Sequence, residues 1–210
     1  MENIKMSEEK KIVLGGRDNI SMHPIKYEYA YKYFLTMDNN IWSPHSIEML
    51  TDSRCYTYNL TAQEKHMFEN SLAYLSTADV VAMRNVGVGI SERITAVEVE
   101  MVMANIAHQE SIHTMSYQHI LDSCNMPGEL QGDIYSRYKT VPTIKAKIDY
   151  SSDIFNKMLM SEMDTDEGKF NFLHGYWYFS QIFEGCLFIG GFNPIFSLDR
   201  RGKMSGSAEQ

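Results

Sequence analysis

Residues 95–123 read TAVEVEMVMANIAHQESIHTMSYQHILDS. Stepping by three and four along this stretch meets Val99, Met103, Ile106, Glu110, His113, Tyr117 and Ile120. That is the spacing of a helix with one face turned to a core. No Pro or Gly interrupts it, so one long helix is predicted from Thr95 to about Ser123, stopped by Asn125 and Pro127. Three polar groups interrupt the otherwise apolar stripe. Glu110 and His113 form Glu-x-x-His, whose i,i+3 spacing lets both side chains reach one ion. Taken alone the pair is weak: a surface salt link or a satisfied core histidine accounts for it equally well.

Two more stripes change the odds. Thr61-Ala62-Gln63-Glu64 has capping-box spacing and predicts a long helix to about Val86, before Gly87 and Gly89. One face of it reads Phe68, Leu72, Leu75, Asp79, Ala82 and Val86, with Asp79 in the middle. A third helix is predicted after Asp164 and Glu167, another capping-type pair, to about Phe192, with Asn193-Pro194 ending it. Its stripe reads Phe170, Leu173, Trp177, Gln181, Glu184, Phe188 and Phe192, apolar almost all round, so the helix and Glu184 are expected to be buried. An unpaired buried carboxylate costs several kcal/mol or turns neutral. Three carboxylates and an imidazole on three buried stripes, with no Lys or Arg on those stripes, call for cations, and metal ions supply them. Oxygen-rich donors with one imidazole suit iron or manganese better than structural zinc.

The remainder reads as helix too. A helix is predicted over about Ile25–Met37. A short one follows with Ser43 as N-cap and Pro44 in its first turn, and shorter helices span 128–162 with Pro142 and Ser151-Ser152 as breaks. Residues 1–23 read as a polar arm, and 24–210 as one helical domain. There is no sustained alternation of strand type, no internal repeat and no low-complexity tract. The fold class is all-α, a bundle of long helices. His66, His108, His119 and His174 lie off the ligand face, and Glu98 and Glu100 are expected to be solvated.

Composition bounds the function. The 210 residues fit one domain with a sizeable core. Fifteen Met, 13 Tyr and 10 Phe against 5 Pro suit irregularly packed long helices. A net charge of −8 argues against a nucleic-acid partner. No stretch reaches the roughly 18 apolar residues of a membrane span, and the charged N-terminus does not read as a signal peptide. Three cysteines, Cys55, Cys124 and Cys186, form no CxxC pair, which fits a reducing compartment. A cytoplasmic protein is expected.

The chain resembles the small (β) subunit of class I ribonucleotide reductase, over roughly Ile41 to Gln210. The resemblance rests on Trp42-Ser43-Pro44, Glu64-Lys65-His66, Asp79, the run from Glu110 to Tyr117, and Glu184 with Phe188 and Phe192. It implies a ferritin-like bundle with two metal ions, iron, manganese or one of each. Asp79 and His113 would be terminal ligands of the first metal, Glu110 a bridge, and Glu184 a ligand of the second. Tyr117 would be oxidised to a tyrosyl radical when the reduced centre meets dioxygen. Tyr117 lies i+4 from His113, about 6 Å further along the same face, near enough to lose an electron to an oxidised metal and beyond direct ligation. Phe188 and Phe192 would shield the radical. Trp42 would lie on the route carrying oxidising equivalents to a large subunit, where ribonucleotide is reduced. Ordinary packing explains these aromatic residues as readily when each is taken singly.

The sequence departs from the family in one respect. A second Glu-x-x-His should follow about one helix after Glu184 and is absent, as is the tail that docks the large subunit. A split gene, a truncated sequence or a degenerate protein would each explain this. A second polypeptide or a lost remainder is expected to supply the missing ligands, and the family forms homodimers. Two other functions remain: a different dimetal-carboxylate oxidase, and a non-catalytic iron-binding bundle of ferritin type.

Overall fold

Thr61 opens the helix that carries Asp79. Its hydroxyl accepts from the Glu64 N–H at 3.2 Å while the Glu64 carboxylate accepts from the Thr61 N–H at 2.9 Å, a complete capping box. The computed structural model describes residues 10–14 and 20–210. In chain order the helices are α1 (Glu28–Asn39), α2 (Leu50–Arg54), α3 (Ala62–Arg84), α4 (Val97–Ser123), α5 (Gly128–Thr140), α6 (Pro142–Leu159), α7 (Asp166–Trp177), α8 (Ile189–Asp199) and α9 (Ser205–Glu209). Single 3₁₀ turns at Pro44–Ser46 and Ser91–Arg93, and π-helical stretches at Cys55–Asn59, Asn85–Ile90 and Tyr178–Phe188, complete the chain path.

The Asp79 stripe behaves as its spacing requires. Phe68, Leu72, Leu75, Asp79, Ala82 and Val86 are all buried, because α3 is wrapped by α4, α5 and α8. α1 lies on α4, and α6 bridges α5 and α7. Pro142 sits at the start of α6, as expected of a residue whose missing N–H falls among the unbonded first-turn groups. No described helix is long and apolar enough to cross a membrane.

Four expectations need correction. Ser151-Ser152 does not break α6: the Ser151 hydroxyl donates to the Lys147 carbonyl at 2.8 Å and meets the Tyr178 hydroxyl at 2.9 Å. Pro194 lies inside α8 and does not end it. A proline there removes one helical bond, yet Gly191, Ile195 and Leu198 are buried on the inner face and hold the segment helical. Gly191 lets α8 sit close on α3, since a Cβ there would come within 2.8 Å of Leu75 and 2.9 Å of Tyr74.

The third concerns the helix after Asp164. Phe170, Leu173, Trp177 and Gln181 are exposed, not buried. The inner face of α7 and the following π segment instead carries Phe172, Gly175, Phe179, Phe183 and Phe188. The five-residue step from Phe183 to Phe188 marks the π segment, whose wider turn rotates the stripe away from a 3.6-residue count. The fourth is Glu98. It is fully buried, because Lys10 forms an ion pair with it at 2.6 Å and the backbone N–H groups of Lys26 and Tyr27 donate to its other oxygen. Burial raises the Glu98 pKa, but Lys10 and those N–H groups outweigh it and hold the group down at about 2. The described part of the N-terminal arm is therefore strapped to the start of α4, where Val13 also bridges Ile94. Residues 1–9 and 15–19 of that arm lie outside the described residues.

Candidate metal centre

α3 and α4 bring Asp79, Glu110 and His113 together. One donor atom from each lies within 4.8 Å of the other two. His113 Nδ1 is 3.2 Å from a Glu110 carboxylate oxygen, which the i,i+3 spacing permits. Asp79 and Glu110 are buried, while His113 keeps an exposed edge.

Glu184 stands outside that tight trio but lines the same cavity of about 220 Å³. Asp79, His113, Tyr117, Phe188 and Phe192 line it too, and so do Ile195 and the residues of α9. Glu184 was expected to be buried; on the π segment it is half-buried, with Oε1 buried and the residue lining the cavity. No Lys or Arg lines the cavity.

The electrostatics follow from that geometry. Both Asp79 carboxylate oxygens and Glu184 Oε1 are buried without a hydrogen-bond partner. Burial first, and then the Glu110 charge, push Asp79 well above the usual carboxylate range. The same two causes push Glu184 to about 8. The Tyr117 hydroxyl is raised by burial and by the adjacent Asp79 charge, so it stays protonated near neutral pH. Buried acids left unpartnered are rare and costly. Here they converge with an imidazole in one cavity, and hard oxygen donors with one nitrogen match iron or manganese. Asp79, Glu110 and His113 fit a metal ion, with Glu184 on the same cavity.

Trp42 was expected outside the stripes. Its ring lies 6.4 Å from that of His113, centroid to centroid and tilted by 36°. Phe188 is buried and Phe192 half-buried, 5.9 Å apart, and both flank the cavity that holds Tyr117. Two neighbours escaped the reading of the sequence. Tyr74 is buried 6.3 Å from Phe188 with an unpartnered hydroxyl, and it feels the charges of Glu184 and Asp79. His45 meets His119. Tyr74 falls five residues before Asp79, a spacing that no periodic stripe picks out.

A helical bundle with three acids and an imidazole converging in its interior defines the ferritin-like class of metal-carboxylate folds. The chain belongs to the ribonucleotide reductase small-chain family, whose model matches residues 19–210. It is 25% identical to the ribonucleoside-diphosphate reductase subunit beta of Chlamydia pneumoniae, covering 100% of this chain and 61% of that one. The ribonucleotide reductase R2 subunit from Clostridium botulinum superposes with a TM-score of 0.85 at 28% identity, over 98% of this chain and 63% of that one. An R2-like ligand-binding oxidase with a reconstituted Mn/Fe cofactor shares the fold, with a TM-score of 0.65 at 18% identity, over 88% of this chain and 66% of that one. The chain thus spans under two thirds of these relatives' length.

Proposed function

We propose that this chain is the larger part of a ribonucleotide reductase small subunit that oxidises Tyr117 to a radical and passes the oxidising equivalent to a large subunit. The observation that carries this reading is the pair of unpartnered Asp79 oxygens, buried beside the Tyr117 hydroxyl and the Glu110–His113 pair. Asp79 and His113 would hold the first metal, Glu110 would bridge, and Glu184 would hold the second. When bound, the metals supply the oxidising power drawn from dioxygen. These donors suit two irons, two manganese ions or one of each alike.

The chain's own residues do the rest. One electron and the hydroxyl proton leave Tyr117, and the adjacent carboxylate is the nearest base. Phe188 and Phe192 keep water and reductants from the ring. Trp42, against His113, lies between the centre and the outside, the position a relay to a large subunit needs.

A further helix completes the site in this reading. The α4 stripe continues from Ile120, Tyr117 and His113 at the cavity to Ile106, Met103 and Val99 along an apolar groove of about 440 Å³. Leu173 and Tyr176 of α7, Tyr29 and Tyr33 of α1, and Ile12 and Val13 of the arm form the groove's other walls. α9 lies at the cavity end. A helix of about 20 residues, about 30 Å long at 1.5 Å per residue, would run along α4 past both groove and cavity. We assign it the second Glu-x-x-His, supplied by the same chain or by a second polypeptide, in a subunit that pairs as a homodimer.

Metal analysis and electron paramagnetic resonance test the reading. The 210-residue chain alone is expected to hold fewer than two tightly bound ions and to be inactive. With the completing segment it should load two and, after oxygenation, give a tyrosyl signal that Tyr117→Phe abolishes at unchanged metal content. A full two-metal load without the segment would overturn the completion. Turnover independent of Tyr117 would favour a dimetal oxidase of the ligand-binding kind.

A further inference from the structure

The loop between α1 and α2 carries Trp42 and touches α4 through two ring contacts. Trp42 leans on His113, and three residues on, His45 stands edge-on to His119, with centroids 4.7 Å apart and planes at 76°. His113, Ser116 and His119 succeed one another at i+3 steps on α4, so residues 42–45 follow one ridge of that helix. Pro44 and Ser116 are both buried. Among the described residues, the side chains of 41–46 make no hydrogen bond to α4; the Ser46 hydroxyl turns back to the Ser43 carbonyl at 2.7 Å. His45 is exposed, so core packing does not account for its place. His119 Nε2 is buried without a hydrogen-bond partner, and burial, then His45, hold that ring below the ordinary imidazole pKa.

We propose that the His45–His119 contact is a positioning device that sets Trp42 against His113. Its purpose rests on the role given to Trp42 above. A relay ring must hold its distance to the ligand it serves, and among the described residues no side-chain hydrogen bond ties the loop to α4. His45 touches neither the metal donors nor Tyr117; it acts through the loop.

The test is read on the 210-residue chain without metal, so it stands or falls apart from the radical chemistry. The protein has two tryptophans, and Trp177→Phe leaves Trp42 as the only one, excited selectively over the tyrosines at the red edge of the absorption band. Acrylamide quenching of Trp42 should be weaker in the folded chain than in urea; equal quenching would overturn the proposal. His45→Ala should raise the folded-state quenching constant at least twofold and lower the anisotropy, with far-ultraviolet dichroism unchanged. His45→Phe, which keeps an edge-on ring, should restore both. The double variant His45→Ala/His119→Ala should quench no more than the stronger single variant, as for two halves of one contact. Unchanged quenching in His45→Ala, failure of His45→Phe to rescue, or additive effects in the double variant would each overturn it.

Discussion

Glu184 reaches the cavity from a π-helical segment with one oxygen buried and unpartnered, and its pKa stands near 8 against an ordinary 4.5. Between those two values the folded chain holds a proton that the unfolded chain has released. Stability of the metal-free chain is therefore greatest below about pH 4.5 for this group and falls as pH rises towards 8, by at most about 1.4 kcal/mol per pH unit per proton. Asp79, raised by burial and then by Glu110, pulls in the same direction. Glu184→Gln should flatten this decline and raise the urea midpoint at pH 8, where the wild-type carboxylate is half ionised. A steeper decline in that variant would refute the burial of that oxygen. Residues of this kind were legible in the sequence because Asp79, Glu110, His113 and Tyr117 obey helical spacing on faces that otherwise read as core. Glu98 was not. Its partner Lys10 lies 88 residues away in the chain, and no local pattern announces an ion pair made by a distant strap.

Helix boundaries were read well where a side chain caps them, as at Thr61, and poorly where tertiary packing overrides local preference. Pro194 is the plain case: it disfavours helix locally, yet buried Ile195 and Leu198 keep α8 going to Asp199. The π segment is the other. Every residue from Tyr178 to Phe188 looks helical in sequence, and only the wider turn decides which aromatic rings face inward. α9 shows how a short element is held from outside. Asp52, fully buried on α2, accepts from the backbone N–H groups of Gly206 and Ser207 at 3.0 and 2.6 Å and from the Ser207 hydroxyl at 2.6 Å. Five residues cannot sustain a helix alone, so this carboxylate is what orders the cavity's α9 wall. Asp52→Ala should cost about 2–3 kcal/mol in urea unfolding and speed amide exchange in α9 ahead of the rest. Asp52→Asn, which keeps one acceptor, should recover part of the loss. Equal exchange across α3 and α9 in the alanine variant would place the anchor elsewhere.

At the scale of the molecule, the two halves of the bundle differ in what covers them. The middle of α3 is enclosed on all sides, whereas Phe170, Leu173, Tyr176 and Trp177 of α7 are 65%, 63%, 41% and 54% exposed. Large apolar side chains clustered this way mark a contact surface or an aggregation liability. Full burial of each is worth roughly 1.5–3 kcal/mol, so a partner that covered them would contribute to folding as well as to the proposed metal site. The groove beside Val99, Met103 and Ile106 and the cavity of the unpartnered acids both lie against α4, and in the proposed reading one helix bearing Glu-x-x-His would answer both the exposed rings and the unpaired charges. The isolated chain should therefore bind a hydrophobic dye such as ANS and unfold at low urea. Adding the completing segment should displace the dye at one segment per chain and raise the urea midpoint even before metal is added. Leu173→Glu, remote from every proposed ligand, should weaken that association at least tenfold while leaving the chain's own helicity intact. If Leu173→Glu bound the segment as tightly as the parent, the groove would not be its seat, and the exposed face of α7 would have to be covered by something else, with a second copy of the chain the first to test by sedimentation.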